Sequence, residues 1–131
     1  MTKLVINTDG GSRGNPGPAA IGVVLKSATE TTRIGKFIGV TTNNVAEYSA
    51  LIEALRAAKE LKATELECLL DSELVVKQLN GLYKVKDANM RKLWTEIKAQ
   101  EKHFKKVVYK NIPRAENHEA DAIVNEVLDA I

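Results

Sequence analysis

The chain has 131 residues, of which 44% are hydrophobic and 27% are charged, the size and composition of one globular domain spanning residues 1–131. It has no apolar run as long as a membrane span, and its start, MTKLVINTDG, lacks the apolar block of a signal peptide. We therefore expect a cytoplasmic protein without membrane contact. The single cysteine, Cys68, excludes an internal disulfide and a cysteine-cluster metal site, and its apolar neighbours predict a core residue.

Charge is unevenly distributed along the chain. Between Lys77 and Arg114 there are eleven Lys and Arg residues against three acidic ones, so this segment carries +8 in a chain whose net charge is +2. Such a basic segment favours an anionic partner such as nucleic acid, although a solvated helix face would give the same pattern.

The first third of the chain predicts three strands joined by short connections. Lys3 to Thr8 forms the first, and PAAIGVVLKS and TRIGKFIGV form the next two. Four glycines and two prolines between Gly10 and Pro18 predict a turn, which places Asp9 at the end of the first strand. Short connections favour an antiparallel arrangement.

The remaining chain alternates helices and strands. Apolar residues at spacings of three and four predict a helix over Val45–Lys62, and Asn44 with Glu47 has the spacing of a capping box at its start. The next two elements are a strand (TELECLLD) and a short helix from Ser72 to Leu79, which Asn80-Gly81 closes. The last three are a basic helix (DANMRKLWTEIKAQEKHF), a strand that Pro113 ends (KVVYKNI) and a helix over residues 120–131. Helices between the later strands imply that part of the sheet is parallel.

Four acidic residues lie where apolar residues would be expected. Asp9 and Asp71 each end an apolar strand, the position of the usual ligand crevice in such a sheet, although each could also be a turn residue. Glu47 and Asp121 fall on the apolar stripes of their helices, where an unpaired carboxylate is costly. For Glu47 the capping box is the alternative explanation.

No lysine or arginine occupies an equivalent inward position beside these four acids. Converging carboxylates without basic partners repel one another, and a hard divalent cation with oxygen ligands relieves that repulsion. The pattern therefore predicts a magnesium or manganese site that acts on phosphates.

The segments that carry these acids are TDGGSRGNPGPAAIG, TTNNVAEYSALIEAL, LLDSELVVKQLNG and IPRAENHEADAIVNEVLD. In this order, and over nearly the whole chain, they resemble the type 1 ribonuclease H family. The resemblance implies an α/β protein with the ribonuclease H-like fold, whose five-stranded mixed sheet has the order 3-2-1-4-5 and helices on both faces. Asp9 and Asp71 would then lie side by side on neighbouring parallel strands.

The resemblance also implies an activity, namely internal hydrolysis of the RNA strand of an RNA–DNA hybrid, leaving 5′-phosphate and 3′-hydroxyl ends. Two Mg²⁺ ions, or Mn²⁺ ions in their place, would be held by Asp9, Glu47, Asp71 and Asp121, with Asp9 bridging both. No covalent enzyme intermediate is needed. We expect a monomer that binds the hybrid.

Substrate contacts are implied by position in the family motifs. Gly10, Gly11, Ser12, Arg13 and Asn15 would lie near the RNA, and the glycines would let the backbone approach it closely. Thr42, Asn43 and Asn44 would serve the minor groove and a DNA phosphate, although the helix N-cap is an equal alternative for Asn44.

Two features depart from many bacterial members of the family. The basic, tryptophan-bearing protrusion is absent, and Lys84, Lys86, Arg91 and Lys92 would replace part of its phosphate contacts, which predicts weaker and more salt-sensitive binding. The histidine of a mobile loop before the last helix has no counterpart at the same position. His118 is expected in the first turn of that helix, Arg114 is a second candidate replacement, and His103 is expected at the surface.

Two rival functions are the alternatives to this activity. A 3′-5′ exonuclease of the same fold usually carries Asp-x-Glu in its first strand, whereas Asp9 is followed here by Gly10 and Gly11. A non-catalytic hybrid-binding module would have lost some of the acids, and all four are present.

Overall fold

The computed structural model describes residues 2–131 and contains one five-stranded sheet with helices packed against it. The strands are β1 (Lys3–Ser12), β2 (Gly17–Lys26), β3 (Thr31–Thr41), β4 (Glu65–Leu70) and β5 (Lys106–Asn111). The helices are α1 (Asn43–Glu60), α2 (Glu73–Leu79), α3 (Ala88–Glu101) and α4 (His118–Asp129), and a 3₁₀ turn (Arg114–Asn117) precedes α4. Within residues 2–131, none of these helices combines the length and apolar character needed to cross a membrane.

The sheet has the order β3-β2-β1-β4-β5, as predicted. β1, β2 and β3 form an antiparallel meander, and β4 and β5 run parallel to β1. The parallel ladder between β1 and β4 begins at Lys3 opposite Glu65 and ends at Asn7 opposite Leu69. The carboxyl ends of three strands therefore meet at one edge of the sheet, which we call the carboxyl edge.

Helices cover both faces of the sheet, as predicted. On one face, the apolar stripe of α1 buries Tyr48, Leu51 and Leu55 completely against the strands and against Ile97 of α3. On the other face, Val124 and Leu128 of α4 pack against Ala20 of β2. Cys68 is fully buried in the larger cluster, and burial raises the pKa of its thiol to about 12, so it is the core residue that was predicted.

The predicted end of the first strand is wrong. β1 does not stop at Asp9 but continues through Gly10 and Gly11 to Ser12, because these residues pair with Ile21, Ala20 and Ala19 of β2. Two adjacent glycines have little strand propensity of their own, and pairing to an already ordered neighbour overrides it. Asp9 therefore lies within β1 and just beyond the ladder to β4.

The predicted capping box at the start of α1 is also wrong. The N-cap is Thr42, whose hydroxyl accepts a hydrogen bond from the backbone N–H of Val45 at 3.3 Å. Asn44 lies inside the helix and is exposed. Glu47 is then too far along the helix to complete a box, so capping does not explain its presence.

Candidate active site

The four acidic residues that were singled out in the sequence line one cavity of about 350 Å³ at the carboxyl edge. Each lies in a different part of the fold: Asp9 is in β1, Glu47 is in α1, Asp71 directly follows β4, and Asp121 is in α4. Residues scattered over more than a hundred positions of sequence are thus brought to one place.

Strand register places the two aspartates side by side. Asn7 pairs with Leu69 in the parallel ladder, and Asp9 and Asp71 each lie two residues beyond this pair. Side chains two residues apart on a strand point to the same face. The two carboxylates therefore leave the sheet in the same direction from neighbouring strands.

Two glycines allow the helices that carry the other acids to approach the sheet. A Cβ on Gly10 would lie 2.2 Å from the backbone carbonyl of Ala46, the residue before Glu47. A Cβ on Gly22, which pairs with Asp9, would lie 2.4 Å from the backbone oxygen of Ala120, the residue before Asp121. Both distances are shorter than a carbon atom tolerates, so only glycine permits this approach.

Burial and mutual repulsion disfavour the charged forms of two of these acids. Burial, followed by the charges of Asp71, Asp121 and Glu47, raises the pKa of Asp9 to about 8. Burial also raises the pKa of Glu47 to about 7, although a hydrogen bond from Ser72 opposes the change. Two carboxyl groups in one cavity are thus held at an energetic cost, which is typical of functional sites.

One basic residue lies beside the acids, at the exposed rim of the cavity and not in an inward position. Nη2 of Arg114, on the 3₁₀ turn, donates to Oδ1 of Asp121 at 3.4 Å, and Arg114 lines the same cavity. Its side chain is 81% exposed, so the pair lies at the rim of the cavity. An exposed pair of this length contributes little stability, and it leaves the guanidinium accessible to a phosphate.

The donor set of the cavity suits a hard divalent cation. Carboxylate oxygens are the ligands that Mg²⁺ takes from proteins, together with water and substrate phosphates. As placed in residues 2–131, no three His, Cys, Asp or Glu side chains come close enough together to hold a metal ion. Repulsion among carboxylates that share no cation opposes a closer approach. The chemistry of the donors therefore fits a metal, although the side chains are not arranged in coordination geometry.

The residues expected near the substrate fall into two groups. Gly10, Gly11, Ser12, Arg13 and Asn43 line the same cavity as the acids. Asn15, Thr42 and Asn44 do not line it, and the first two have other contacts in the described part of the chain.

The side chains of Asn15 and Asn43 connect the turn after β1 to the start of α1. Oδ1 of Asn15 accepts from the backbone N–H of Asn43 at 3.0 Å. Oδ1 of Asn43 accepts from the backbone N–H of Ser12 at 2.9 Å and from its hydroxyl at 3.1 Å. Asn15 thus supports the cavity wall without forming it. Arg13 pairs with Asp129 at 2.5 Å, but both side chains are largely exposed.

The two histidines lie outside the cavity. His118 begins α4, as predicted, and its exposed ring nitrogen Nδ1 is 3.3 Å from the backbone oxygen of Ala115. His103 is exposed at the end of α3, also as predicted.

A buried asparagine, to which the sequence interpretation assigned no role, lies beside the acids. Asn117 is 1% exposed, and its Nδ2 donates to the backbone oxygen of Thr8 at 2.9 Å. Its Oδ1 accepts from Nδ2 of Asn7 at 3.0 Å. The only sequence signal for it was its position in the motif IPRAENHEAD, four residues before Asp121.

A second cavity, of about 310 Å³, lies beside α2 and contains basic and aromatic residues. Gln78, Tyr83, Lys84, Arg91 and Trp94 contribute to its lining. The hydroxyl of Tyr48, the neighbour of Glu47, donates to Oε1 of Gln78 at 2.6 Å. This hydrogen bond connects one wall of the second cavity to α1, the helix that carries Glu47.

Comparison with known proteins identifies similar sequences. Residues 7–127 match a family model described as reverse transcriptase-like. A bifunctional protein of Mycobacterium tuberculosis is 46% identical over 131 residues, which cover 98% of this chain and 36% of that protein. The chain thus spans about a third of the length of this curated relative.

Solved structures show the same fold. RNase H1 from the halophilic archaeon Halobacterium salinarum is 41% identical, with a TM-score of 0.95 over 98% of this chain and 99% of that one. LC11-RNase H1, solved in complex with an RNA/DNA hybrid, is 42% identical, with a TM-score of 0.92 over 97% of both chains.

Proposed function

Since the chain belongs to the type 1 ribonuclease H family, we propose that it hydrolyses the RNA strand of RNA–DNA hybrids with the help of divalent metal ions. Cleavage is internal and leaves 5′-phosphate and 3′-hydroxyl ends. The observation that carries the proposal is the convergence of Asp9, Glu47, Asp71 and Asp121 on one cavity at the carboxyl edge. The similarity to LC11-RNase H1, whose structure contains an RNA/DNA hybrid, supports this choice of substrate.

The four carboxylates would hold two Mg²⁺ ions, or Mn²⁺ ions in their place. Asp9 would help to hold both ions, and in the metal-free protein burial and the charges of the three other acids raise its pKa. When bound, such ions lower the pKa of water and stabilise the charge on the departing oxygen of a phosphodiester. With metal present, Asp9 and Glu47 would lose their protons, since the cations reverse the repulsion that raises their pKa values.

The wall of the cavity supplies polar groups for the strand that is cut. Ser12, Arg13 and Asn43 lie at the wall beside the backbone of Gly10 and Gly11. Hydroxyl and amide groups can recognise a ribose 2′-hydroxyl, which donates and accepts hydrogen bonds and distinguishes RNA from DNA. Arg13 is exposed and can bind a phosphate oxygen, because its pairing with Asp129 at the surface is weak. Asn15 would act by bonding the backbone of Asn43, and Thr42 by capping α1. Asn44 would contact a DNA phosphate.

Arg114 is the candidate replacement for the family's loop histidine. Its guanidinium lies at the rim beside Asp121, whereas His118 does not line the cavity. A cation at this position can stabilise a phosphate as it enters or leaves.

The proposal is tested with end-labelled substrates. The protein is incubated with an RNA–DNA hybrid, matched duplex DNA and matched duplex RNA, each in Mg²⁺, in Mn²⁺ and in EDTA. We expect the RNA strand of the hybrid to be cut at internal positions in either metal, with no cutting in EDTA. No cutting of the hybrid in either metal would contradict the proposal.

The same experiment separates the rival functions. Stepwise shortening from a 3′ end would indicate an exonuclease, and hybrid binding without any cutting would indicate a binding module. Phosphatase treatment of products labelled at the 3′ end, followed by electrophoresis, checks that the new 5′ end carries the phosphate.

A further inference from the structure

Asn117 occupies a position where asparagine normally caps a helix, but its side chain does not do so. It is the residue before α4, and no side-chain hydrogen bond is made to the start of that helix. An asparagine at the N-cap ordinarily accepts a bond from a backbone N–H of the first turn and stabilises the helix. The side chain instead reaches across to β1. The fold thus uses this amide for a connection between elements rather than for the helix itself.

The connection joins the two elements that carry Asp9 and Asp121. Nδ2 of Asn117 bonds the carbonyl of Thr8, the residue immediately before Asp9. Asp121 follows Asn117 by four residues, about one helical turn, or roughly 6 Å along the axis. Thr8 and Asn117 are the two buried polar residues among residues 2–131, at 2% and 1% exposure. A buried hydrogen bond between them leaves little freedom for α4 to slide along β1.

We propose that Asn117 is a positioning residue, which fixes the separation of Asp9 and Asp121 and thereby sets the affinity of the site for divalent metal. This inference depends on the proposed function, in that it assumes these two carboxylates share a cation. Groups that orient metal ligands from behind typically change metal affinity or activity by about 10–100-fold when they are removed. A purely structural role would instead lower stability alone.

The test compares metal binding by three variants. Asn117→Ala removes the connection to β1. Asn80→Ala removes a similar bond, from an asparagine amide to the backbone oxygen of Tyr109 in β5, away from the acids. Ile97→Val removes one methylene group from the fully buried core beneath α3 and so lowers stability without touching the site. For each, Mg²⁺ affinity is measured by calorimetry without nucleic acid, and the melting temperature is measured in EDTA.

We expect the dissociation constant for Mg²⁺ to rise about tenfold or more in Asn117→Ala and to stay within twofold in both controls. In hybrid cleavage, we expect kcat to fall with the metal affinity, while KM for the hybrid changes less than twofold. The inference is overturned if Asn117→Ala binds Mg²⁺ as tightly as the parent and only its melting temperature falls.

Two further outcomes keep the inference separate from the proposed function. If the parent binds Mg²⁺ in an Asn117-dependent manner but cuts no hybrid, the proposed activity fails and the positioning role stands. If the parent cuts hybrids and Asn117→Ala cuts them with unchanged kcat and metal dependence, the positioning role fails. Should Asn117→Ala not fold, Asn7→Ala removes only the bond from Asn7 to Asn117, and a smaller rise in the dissociation constant is expected.

Discussion

At the scale of single residues, the site is characterised by two carboxyl groups whose pKa values are raised, those of Asp9 and Glu47. Asp9 has the larger change in pKa, to about 8 from an ordinary value of 3.8, and Glu47 follows at about 7. Burial is the main cause for both. The cost of holding these groups is a property of the metal-free protein, and metal binding would remove it.

This cost predicts how the stability of the metal-free protein depends on pH. Because the pKa of Asp9 is higher in the folded state than in the unfolded state, the folded protein keeps a proton between about pH 4 and pH 8 that the unfolded chain releases. The free energy of unfolding should therefore fall as pH rises through this window. Asp9→Asn cannot ionise, so in EDTA at pH 8 it should be more stable than the parent by up to about 5 kcal/mol, and at pH 4 the difference should largely disappear.

Urea unfolding in EDTA at several pH values measures this difference. Asp129→Asn, which removes the charge of an exposed aspartate at the end of α4, is the control for the loss of one negative charge outside the cavity. Parallel curves for Asp9→Asn and the parent would show that Asp9 ionises normally in the folded protein.

At the scale of secondary-structure elements, the approach of α1 and α4 to the sheet positions Glu47 and Asp121. Gly10 and Gly22 make that approach possible, and the 3₁₀ turn carries Asn117 to β1. At the start of α1, neighbouring residues have different roles. Thr42 caps the helix, and the side chain of Asn43 bonds Ser12 at the cavity wall.

Because Thr42 caps α1 and Asn44 does not, substitutions at these two positions should affect stability differently. Thr42→Ala removes the cap of α1 and should lower the free energy of unfolding by about 1 kcal/mol. Asn44→Ala should change stability by less than about 0.5 kcal/mol, since Asn44 is exposed inside the helix and alanine favours helix. Thermal and urea unfolding of both variants provide the measurement. A larger loss for Asn44→Ala than for Thr42→Ala would restore Asn44 as the cap.

Sequence periodicity predicted the elements well because it depends on local spacing. Tyr48, Leu51 and Leu55 identified α1, and the change of pattern at Thr64 identified β4. The cap of α1 could not be chosen from sequence, because Thr42, Asn43 and Asn44 are all good N-caps and the choice depends on the contact of Asn43 with Ser12. The extension of β1 through two glycines depends on β2, which is a tertiary effect.

The acids of the candidate site were also accessible from sequence, because a charged residue on an apolar stripe is anomalous. The residues that hold the site together were not. Gly22 lies in an ordinary apolar strand, and only the position of α4 shows why a side chain is excluded there. Asn117 resembles any polar residue before a helix until its bond to Thr8 is seen. Such roles depend on where a distant element packs.

At the scale of the whole molecule, the basic segment is divided between opposite edges of the sheet. Lys84 and Arg91 line the second cavity, whose Gln78 bonds Tyr48 of α1, the residue after Glu47. Lys105 and Lys106 lie at the opposite edge, where the backbone N–H of Lys105 bonds Thr64 and Lys106 pairs with Glu65 at the start of β4. A hybrid seated on the acidic cavity could reach the first pair and not the second.

Hybrid binding should therefore depend on salt through only part of this segment. The double variant Lys84→Ala, Arg91→Ala should bind hybrids of any sequence more weakly, and the slope of log affinity against log salt should decrease by about 1–2. The double variant Lys105→Ala, Lys106→Ala carries the same loss of charge and should leave the slope within about 0.3 of the parent's. Fluorescence anisotropy in Ca²⁺ or EDTA over a range of salt measures both, and equal slopes for the two variants would place the hybrid elsewhere.

Cleavage of the hybrid by the acidic cavity is tested by the substitution Asp71→Asn. The substitution keeps the size of the side chain and removes one charged oxygen ligand beside Asp9. In single-turnover cleavage of an RNA–DNA hybrid in Mg²⁺, we predict that the rate falls at least about a thousandfold, equivalent to about 4 kcal/mol in the barrier. The melting temperature and the hybrid dissociation constant should stay close to those of the parent. A rate within tenfold of the parent's would contradict cleavage by this cavity, because it would show that the reaction does not need Asp71 or the carboxylate site to which it belongs.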